Sequence, residues 1–66
     1  MNVNKAQRIV NALDEICDKD LPRLLEDVDV NDENYFELNH YIGDILSSVV
    51  NFEDFLHEKY GIKVEV

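Results

Sequence analysis

Apolar residues recur at intervals of three and four through most of this chain, which is the spacing of one face of an α-helix. The signal is strongest in the second half, where the repeating apolar positions are Tyr35, Leu38, Ile42, Ile45, Val49, Phe52, Leu56 and Tyr60. On a helical wheel the opposite face holds only polar residues: Glu33, Glu37, His40, Asp44, Ser47, Asn51, Asp54 and Glu58. The pattern predicts one long amphipathic helix over about 32–60.

Both glycines of the chain fall on or next to this predicted helix. Gly43 lies inside the apolar pattern, where a glycine costs about 1 kcal/mol and favours a bend. Gly61 follows the last apolar position and is typical of a left-handed helix cap. The tail IKVEV at 62–66 alternates apolar and polar residues, which predicts a short extended arm or edge strand.

The first half of the chain predicts a helical arm that is broken once. Asn4 followed by Gln7 is typical of a helix start. Apolar positions then continue at helical spacing: Ala6, Ile9, Val10, Leu13, Ile16, Cys17, Leu21, Leu24, Leu25 and Val28. Pro22 has no backbone N–H and clashes inside an unbroken helix, so Asp20 is expected to cap a new one. This predicts helices over about 4–19 and 21–28.

Together the two arms predict an all-α fold, an antiparallel helical hairpin forming one small domain over 1–66. The long helix is apolar over half its circumference, with Leu46 and Val50 on one flank and Tyr41 on the other. One thin arm cannot cover that width. We therefore expect a homodimer that completes a four-helix bundle, with a compact three- or four-helix monomer bent at Gly43 as the alternative.

The cysteine and histidine content limits the chemistry that the chain can support. Cys17 is the only cysteine, so it forms no disulfide within the chain. Its place on the apolar face predicts a buried small hydrophobe, and a reducing cytoplasmic location is the simpler reading. His40 and His57 stand apart, which predicts no metal cluster and no cofactor. No apolar run approaches the ~18 residues of a membrane span.

Charge is the most distinctive feature of the sequence, with a net value of −9. The basic residues lie toward the ends of the chain: Lys5, Arg8, Lys19, Arg23, Lys59 and Lys63. Between Leu24 and Glu58, a region we term the acidic middle, there is no Lys or Arg. Its acids are Glu26, Asp27, Asp29, Asp32, Glu33, Glu37, Asp44, Glu53, Asp54 and Glu58. This balance argues against direct contact with nucleic acid or anionic membranes and favours a basic protein partner.

The stretch EDVDVNDENYFE at 26–37 resembles a calcium-binding EF-hand loop at its first, third and fifth positions, Asp27, Asp29 and Asn31. The sixth position requires glycine but holds Asp32, and the twelfth requires glutamate but holds Leu38. The calcium reading therefore fails at its two most demanding positions.

The better interpretation of this stretch is a turn followed by a helix start. Asp29 or Asn31 would cap the long helix, and Asp32 and Glu33 would occupy its first turn. Negative charge is favoured there by the helix dipole. A turn accounts for these acids without any ligand.

Residues 49–64, VVNFEDFLHEKYGIKV, resemble the helix and following Gly-Ile segment of acyl carrier proteins, which are also small, acidic and helical. The Asp-Ser-Leu motif that holds the phosphopantetheine arm in that family would fall near Ile45 and Leu46. This chain reads DILSS there, with no serine in register. The resemblance therefore implies no carrier function.

Glu53 and His57 lie near the apolar side of the wheel, at the end of the long helix. In an antiparallel hairpin that end lies beside Lys5 and Arg8, which predicts a peripheral ion pair or a polar end of the bundle. No nucleophile accompanies the Glu/His pair, and the chain has no phosphate-binding loop. The sequence therefore predicts a protein that is not an enzyme.

Aromatic residues near the acids complete a candidate partner-binding surface, because aromatic anchors are common at interface hot spots. Its predicted members are Glu26, Asp27, Glu33, Phe36, Glu37, Tyr41, Asp44, Asp54, Phe55 and Glu58. The leading functional hypothesis is an inhibitor that masks a basic nuclease or nucleic-acid-binding surface, resembling in size and charge phage anti-defence proteins, antitoxins and immunity proteins. The alternative is a homodimeric structural module whose acids only keep it soluble.

Overall fold

The computed structural model describes residues 1–64, and within them the regular secondary structure is entirely helical. Helix α1 spans Val3–Glu15, a π-helical segment spans Ile16–Asp20, α2 spans Leu21–Glu26 and α3 spans Tyr35–Tyr60. The first three form one arm and α3 the other, in a helical hairpin of 44 × 18 × 16 Å. The predicted all-α fold is confirmed at this level. No helix within 1–64 has the length and apolar character of a membrane span.

Helix α1 begins two residues earlier than the capping pattern at Asn4 predicts. The N-cap is Asn2, whose side-chain oxygen accepts a hydrogen bond of 3.0 Å from the Lys5 backbone N–H. An amide oxygen at this position satisfies one of the backbone donors that a helix start leaves without partners. The Gln7 side chain, predicted to close a capping box, instead contacts the C-terminal tail.

The predicted break at Asp20 is wrong, because the first arm continues through this region without leaving helical geometry. Asp20 has φ −72° and ψ −46° and its side chain makes no capping hydrogen bond. The Leu21 N–H donates to the Ile16 carbonyl, which is the wider hydrogen bond of a π-helix. Pro22 donates no hydrogen bond and crowds the carbonyl four residues before it in a regular α-helix. The wider turn just ahead of Pro22 is how the arm accommodates it.

The acidic turn between the arms is held by aspartate side chains that bind backbone within the turn. Asp29 accepts a hydrogen bond from the Asn31 N–H, and Asp32 accepts one from the Asn34 N–H, each at 2.8 Å. Short polar side chains commonly stabilise turns in this way. Helix α3 starts only at Tyr35 and has no side-chain cap. The prediction that Asp29 or Asn31 caps this helix, with Asp32 in its first turn, is therefore wrong.

Helix α3 runs without interruption through Gly43, which lies at an exposed position with open space around it. The helix does not end and restart at Gly43, the position at which the alternative compact monomer was expected to bend. Gly61 ends the helix with φ +70°, and its N–H donates to the His57 carbonyl at 3.0 Å. This left-handed cap was predicted, and it turns the tail back toward α1.

The buried core lies at one end of the hairpin and includes the tail. Ala6 and Val10 of α1 pack with Leu56 of α3 and with Ile62, which is fully buried. Gln7 fixes the tail through two hydrogen bonds with the Lys63 backbone, donating to its carbonyl at 2.8 Å and accepting from its N–H at 3.1 Å. The described tail residues 61–64 form no strand, and the remaining predicted tail positions, 65–66, lie outside the described residues.

Outside that core, much of the predicted apolar stripe is open to solvent. Ile42 is buried and Leu38 and Val49 are half-buried, whereas Ile45, Phe52 and Tyr60 are 43–46% exposed. In residues 1–64, only five hydrophobic side chains are buried, while thirteen large ones are exposed. Because the first arm covers only one side of α3, the single chain leaves an apolar surface unburied.

Candidate protein-interaction surface

The acids of the acidic middle divide into nine exposed residues and one buried residue. Glu53 is 5% exposed, and the other nine are all exposed. Every residue of the predicted partner-binding set is also exposed: Glu26, Asp27, Glu33, Phe36, Glu37, Tyr41, Asp44, Asp54, Phe55 and Glu58. The acids are thus accessible from solvent along the turn and the whole of α3.

The three predicted aromatic anchors are exposed but do not form one patch. Phe36 is 75% exposed, Tyr41 58% and Phe55 49%. Phe36 and Phe55 lie nineteen positions apart on α3, which places them about 28 Å apart along the axis at 1.5 Å per residue. Phe36 stacks edge-on against Tyr35 and Phe55 against Tyr60. A partner that contacts both phenylalanines must follow the length of the helix.

These acids receive little compensation from basic side chains within the chain. In the part described, 1–64, no Lys or Arg nitrogen lies within 4 Å of a carboxylate oxygen, and the single ion pair is His40–Asp44 at 3.4 Å. Both side chains are well exposed, so this pair contributes little to stability. Asp54 and Glu58 are spaced four apart on α3 and repel one another. Glu33 is also four residues from Glu37, but it precedes the helix.

Glu53 occupies a different environment from the one that the sequence predicts. Instead of a peripheral ion pair near Lys5 and Arg8, Glu53 lies on the inner face of α3 against the first arm. Its neighbours across the interface are the carboxyls of Asp14 and Asp18. The Oε1 atom is buried and meets no hydrogen-bond donor in residues 1–64. The predicted ion pair is therefore wrong, and an uncompensated buried carboxylate takes its place.

This environment strongly favours the protonated form of Glu53. Burial raises the pKa of its carboxyl most, a hydrogen bond shared with the Asp14 carboxyl raises it further, and the negative charges of Asp14, Asp18 and Asp54 add to the effect. The pKa of Glu53 reaches about 7, compared with an ordinary value of 4.5. Glu53 therefore changes its charge near neutral pH.

Cys17 and His57 also differ from the predictions. Cys17 is half-buried rather than buried. Desolvation, followed by the charges of Glu53, Asp18 and Asp14, raises the pKa of its thiol, which disfavours the reactive thiolate.

His57 forms no pair with Glu53. Its Nδ1 lies 2.9 Å from the Ile62 carbonyl, where it helps to hold the tail.

A groove runs between the two arms where Glu53 is buried, and we term it the Glu53 groove. Its volume is about 370 Å³. The lining residues are Asp14, Cys17, Asp18, Leu46, Val49, Val50 and Glu53. The first arm thus contributes two carboxyls and the thiol to the groove, and α3 contributes Glu53 beside three aliphatic side chains.

Sequence reasoning missed this groove, although the chain contains a signal for it. Glu53 lies four residues after Val49 and three before Leu56, so it occupies a place in the apolar stripe itself. Asp14 and Asp18 are spaced four apart and flank Cys17 on the apolar face of the first arm. Acids at core positions of two facing arms predict a buried acidic cluster once the arms are paired.

The chain matches no family model, no curated protein and no solved structure. In residues 1–64, no group of three or more His, Cys, Asp or Glu side chains is arranged to hold a metal ion. The interpretation of the site therefore depends on its own geometry and charge.

Proposed function

We propose that this protein is a small acidic binding module that docks on a basic surface of a partner protein and blocks it. The observation that carries the proposal is the exposed, uncompensated charge of the acidic middle: nine exposed acids and no basic residue between Leu24 and Glu58. An ordinary solvated helix mixes Lys with Glu, because opposite charges four residues apart stabilise it. A helix that omits these pairs keeps its surface negative.

The mechanism that follows is electrostatic steering and then local burial. A negative field raises the association rate with a positively charged surface, and the effect weakens as salt is added. Aromatic residues within the acidic surface, Phe36, Tyr41 and Phe55, provide apolar area that excludes water once the partner has docked. The preferred partner is a nuclease or another protein with a nucleic-acid-binding surface. The carboxylates would occupy its phosphate-binding sites in place of nucleic-acid phosphates.

Two charge-reversal variants with the same net charge test this proposal. We expect Glu37→Lys combined with Asp44→Lys to lower the association rate by about tenfold or more at low salt, because both residues lie on the exposed side of α3. Glu15→Lys combined with Asp20→Lys adds the same charge on the first arm and should have a much smaller effect. The partner is first isolated by affinity capture from native cells, and association is then measured by surface plasmon resonance at two salt concentrations.

Two outcomes would contradict steering by α3. One is an equal loss of rate in both variants, which would indicate that only net charge matters. The other is an association rate that is unchanged by salt and by either pair of reversals. We expect the helices of each variant to remain folded, because all four substituted residues are solvent-exposed. Circular dichroism of each variant checks this.

A second candidate function, a homodimeric assembly module, is favoured by the exposed apolar flank of α3. Tyr41, Ile45, Phe52 and Phe55 fall within about 80° of one another on a helix of 100° per residue. Helical geometry also places the exposed Ile9 and Ile16 on this side of the hairpin. Two hairpins that pair through this side would bury apolar surface as a four-helix bundle does.

Light scattering with a matched pair of variants tests the dimer. The monomer mass is 7.7 kDa, and a dimer would have about twice that mass. If the apolar flank is the interface, Phe52→Asp should return the chain to a monomer, because a charge would be buried without a partner. Val50→Asp, on the opposite flank and 55% exposed, should leave the dimer intact. A wild-type monomer at high concentration would exclude this function.

A further inference from the structure

The Glu53 groove combines a buried carboxyl oxygen that has no hydrogen-bond donor in residues 1–64 with an opening to solvent. Glu53 is only 5% exposed, and its Oε1 atom is buried with no hydrogen-bond donor in residues 1–64. Buried polar groups are nearly always hydrogen-bonded, and an unpaired buried charge is costly. The groove nevertheless opens to solvent between the arms and Glu53 is one of its lining residues, so a donor from outside can approach this side chain beside its shielded Oε1 atom.

The charge of the groove determines what kind of donor fits. Asp14, Asp18 and Glu53 supply three carboxyls, whereas no Lys or Arg of residues 1–64 comes within 4 Å of a carboxylate oxygen. Below neutral pH a proton shared between Glu53 and Asp14 relieves their repulsion. A cation in the groove would relieve it in the same way. The three carboxyls do not meet the arrangement of a metal site.

The α3 wall of the groove favours a cation on an apolar stem. Leu46, Val49 and Val50 line this wall beside Glu53, and aliphatic surface is what the methylene groups of Lys and Arg cover when their charged ends reach polar partners. A guanidinium group has five donors in a planar fork and is weakly hydrated, so it suits a groove lined by three carboxyls. An arginine side chain therefore satisfies both walls.

We propose that the Glu53 groove accepts an arginine side chain of a basic partner protein, with its guanidinium between Glu53, Asp14 and Asp18 and its stem against Leu46 and Val50. This inference rests on the proposed function, because it requires a basic partner. It adds a specific anchoring point to an interface whose association is otherwise steered only by exposed charge. It also moves the centre of the interface from the outer face of α3 to the seam between the arms.

Titration with a capped hexa-arginine peptide tests the groove directly, with binding followed in ¹H–¹⁵N spectra and by calorimetry. Saturable shifts are expected at Asp14, Leu46 and Glu53. Glu53→Gln should weaken binding by at least about tenfold, because it removes the buried charge that pairs with the guanidinium. Asp20→Asn removes the same charge from an exposed position of the first arm outside the groove and should weaken binding by no more than about twofold.

Other outcomes separate this proposal from the proposed function. If the peptide binds but both variants weaken it equally, with shifts spread along α3, the groove is excluded and the acidic surface remains. If the peptide does not bind at all, both proposals fail. A capped hexa-lysine peptide that binds as tightly as hexa-arginine, with the same loss in Glu53→Gln, would overturn the preference for a guanidinium.

The pH dependence of peptide binding is a second readout. Wild-type affinity should rise by up to about tenfold between pH 6 and pH 8, because only the ionised carboxyl attracts the cation. The groups facing Glu53 are Asp14, Cys17 and Asp18 of the first arm and Asp54 of α3. All of these remain in Glu53→Gln, so a flat profile in this variant assigns the dependence to Glu53. An unchanged slope would overturn the assignment.

Discussion

Replacing Ile62 with alanine should lower the free energy of unfolding by about 2–4 kcal/mol, although the residue lies beyond the last helix. Ile62 is fully buried and packs with Val10 and Leu56 in a core that has few other members. A chain of this size has a total stability on the order of 3–10 kcal/mol, so the loss is a large part of it. Urea denaturation followed by circular dichroism measures the change.

A matched substitution in the turn separates this effect from a general loss of apolar surface. Val30 is also a branched aliphatic residue outside the helices, but it is 59% exposed, so Val30→Ala should change stability by less than about 0.5 kcal/mol. Exchange of the Gln7 side-chain amide provides a local readout, because this amide donates to the Lys63 carbonyl. Equal effects of the two substitutions would show that the tail does not stabilise the hairpin.

The helices could be predicted because their signal is local. Apolar spacing gives the two helical arms and the end of α3 at Tyr60, and the glycine at position 61 gives its left-handed cap. The wrong predictions concern positions where the backbone can form either of two hydrogen-bonding patterns, which the spacing of apolar residues does not distinguish. Pro22 can be accommodated by a new cap or by a wide turn, and the aspartates at 29 and 32 can cap a helix or close a turn. Which of the two structures forms at each position depends on hydrogen bonds that exist only in the folded chain.

The candidate site also has one part with a local sequence signal and one part that depends on long-range contacts. The exposed acids of α3 could be predicted, because a wholly polar face on a long helix points away from its partner arm. The Glu53 groove could be predicted only once the two arms were paired, because Asp14 and Glu53 are far apart in sequence and meet only across the interface. The buried position of Ile62 likewise depends on Gln7, at the opposite end of the chain.

The stability of the hairpin should fall as the pH rises from about 4.5 to 7, and Glu53→Gln should remove this component. The folded protein holds the Glu53 proton more tightly than the unfolded chain, because the pKa is about 7 when folded and 4.5 as the ordinary value. Below the lower value both states are protonated and the residue carries no penalty. Above the higher value both are ionised, and the folded state bears the cost of a buried charge.

The full difference corresponds to roughly 3 kcal/mol, and to less where water entering the open groove screens the charge. Glu53→Gln should therefore be more stable than the wild type at pH 8 and about equal to it at pH 4. Other acids also titrate over this range, so the quantity to measure is the difference between the two proteins in urea midpoint at each pH. Glu58→Gln, an exposed acid one helical turn from Asp54, is the control and should show no such divergence. A wild type that is more stable than Glu53→Gln at pH 8 would mean that the carboxylate already has a partner within the fold, and the groove would then need no cation from outside.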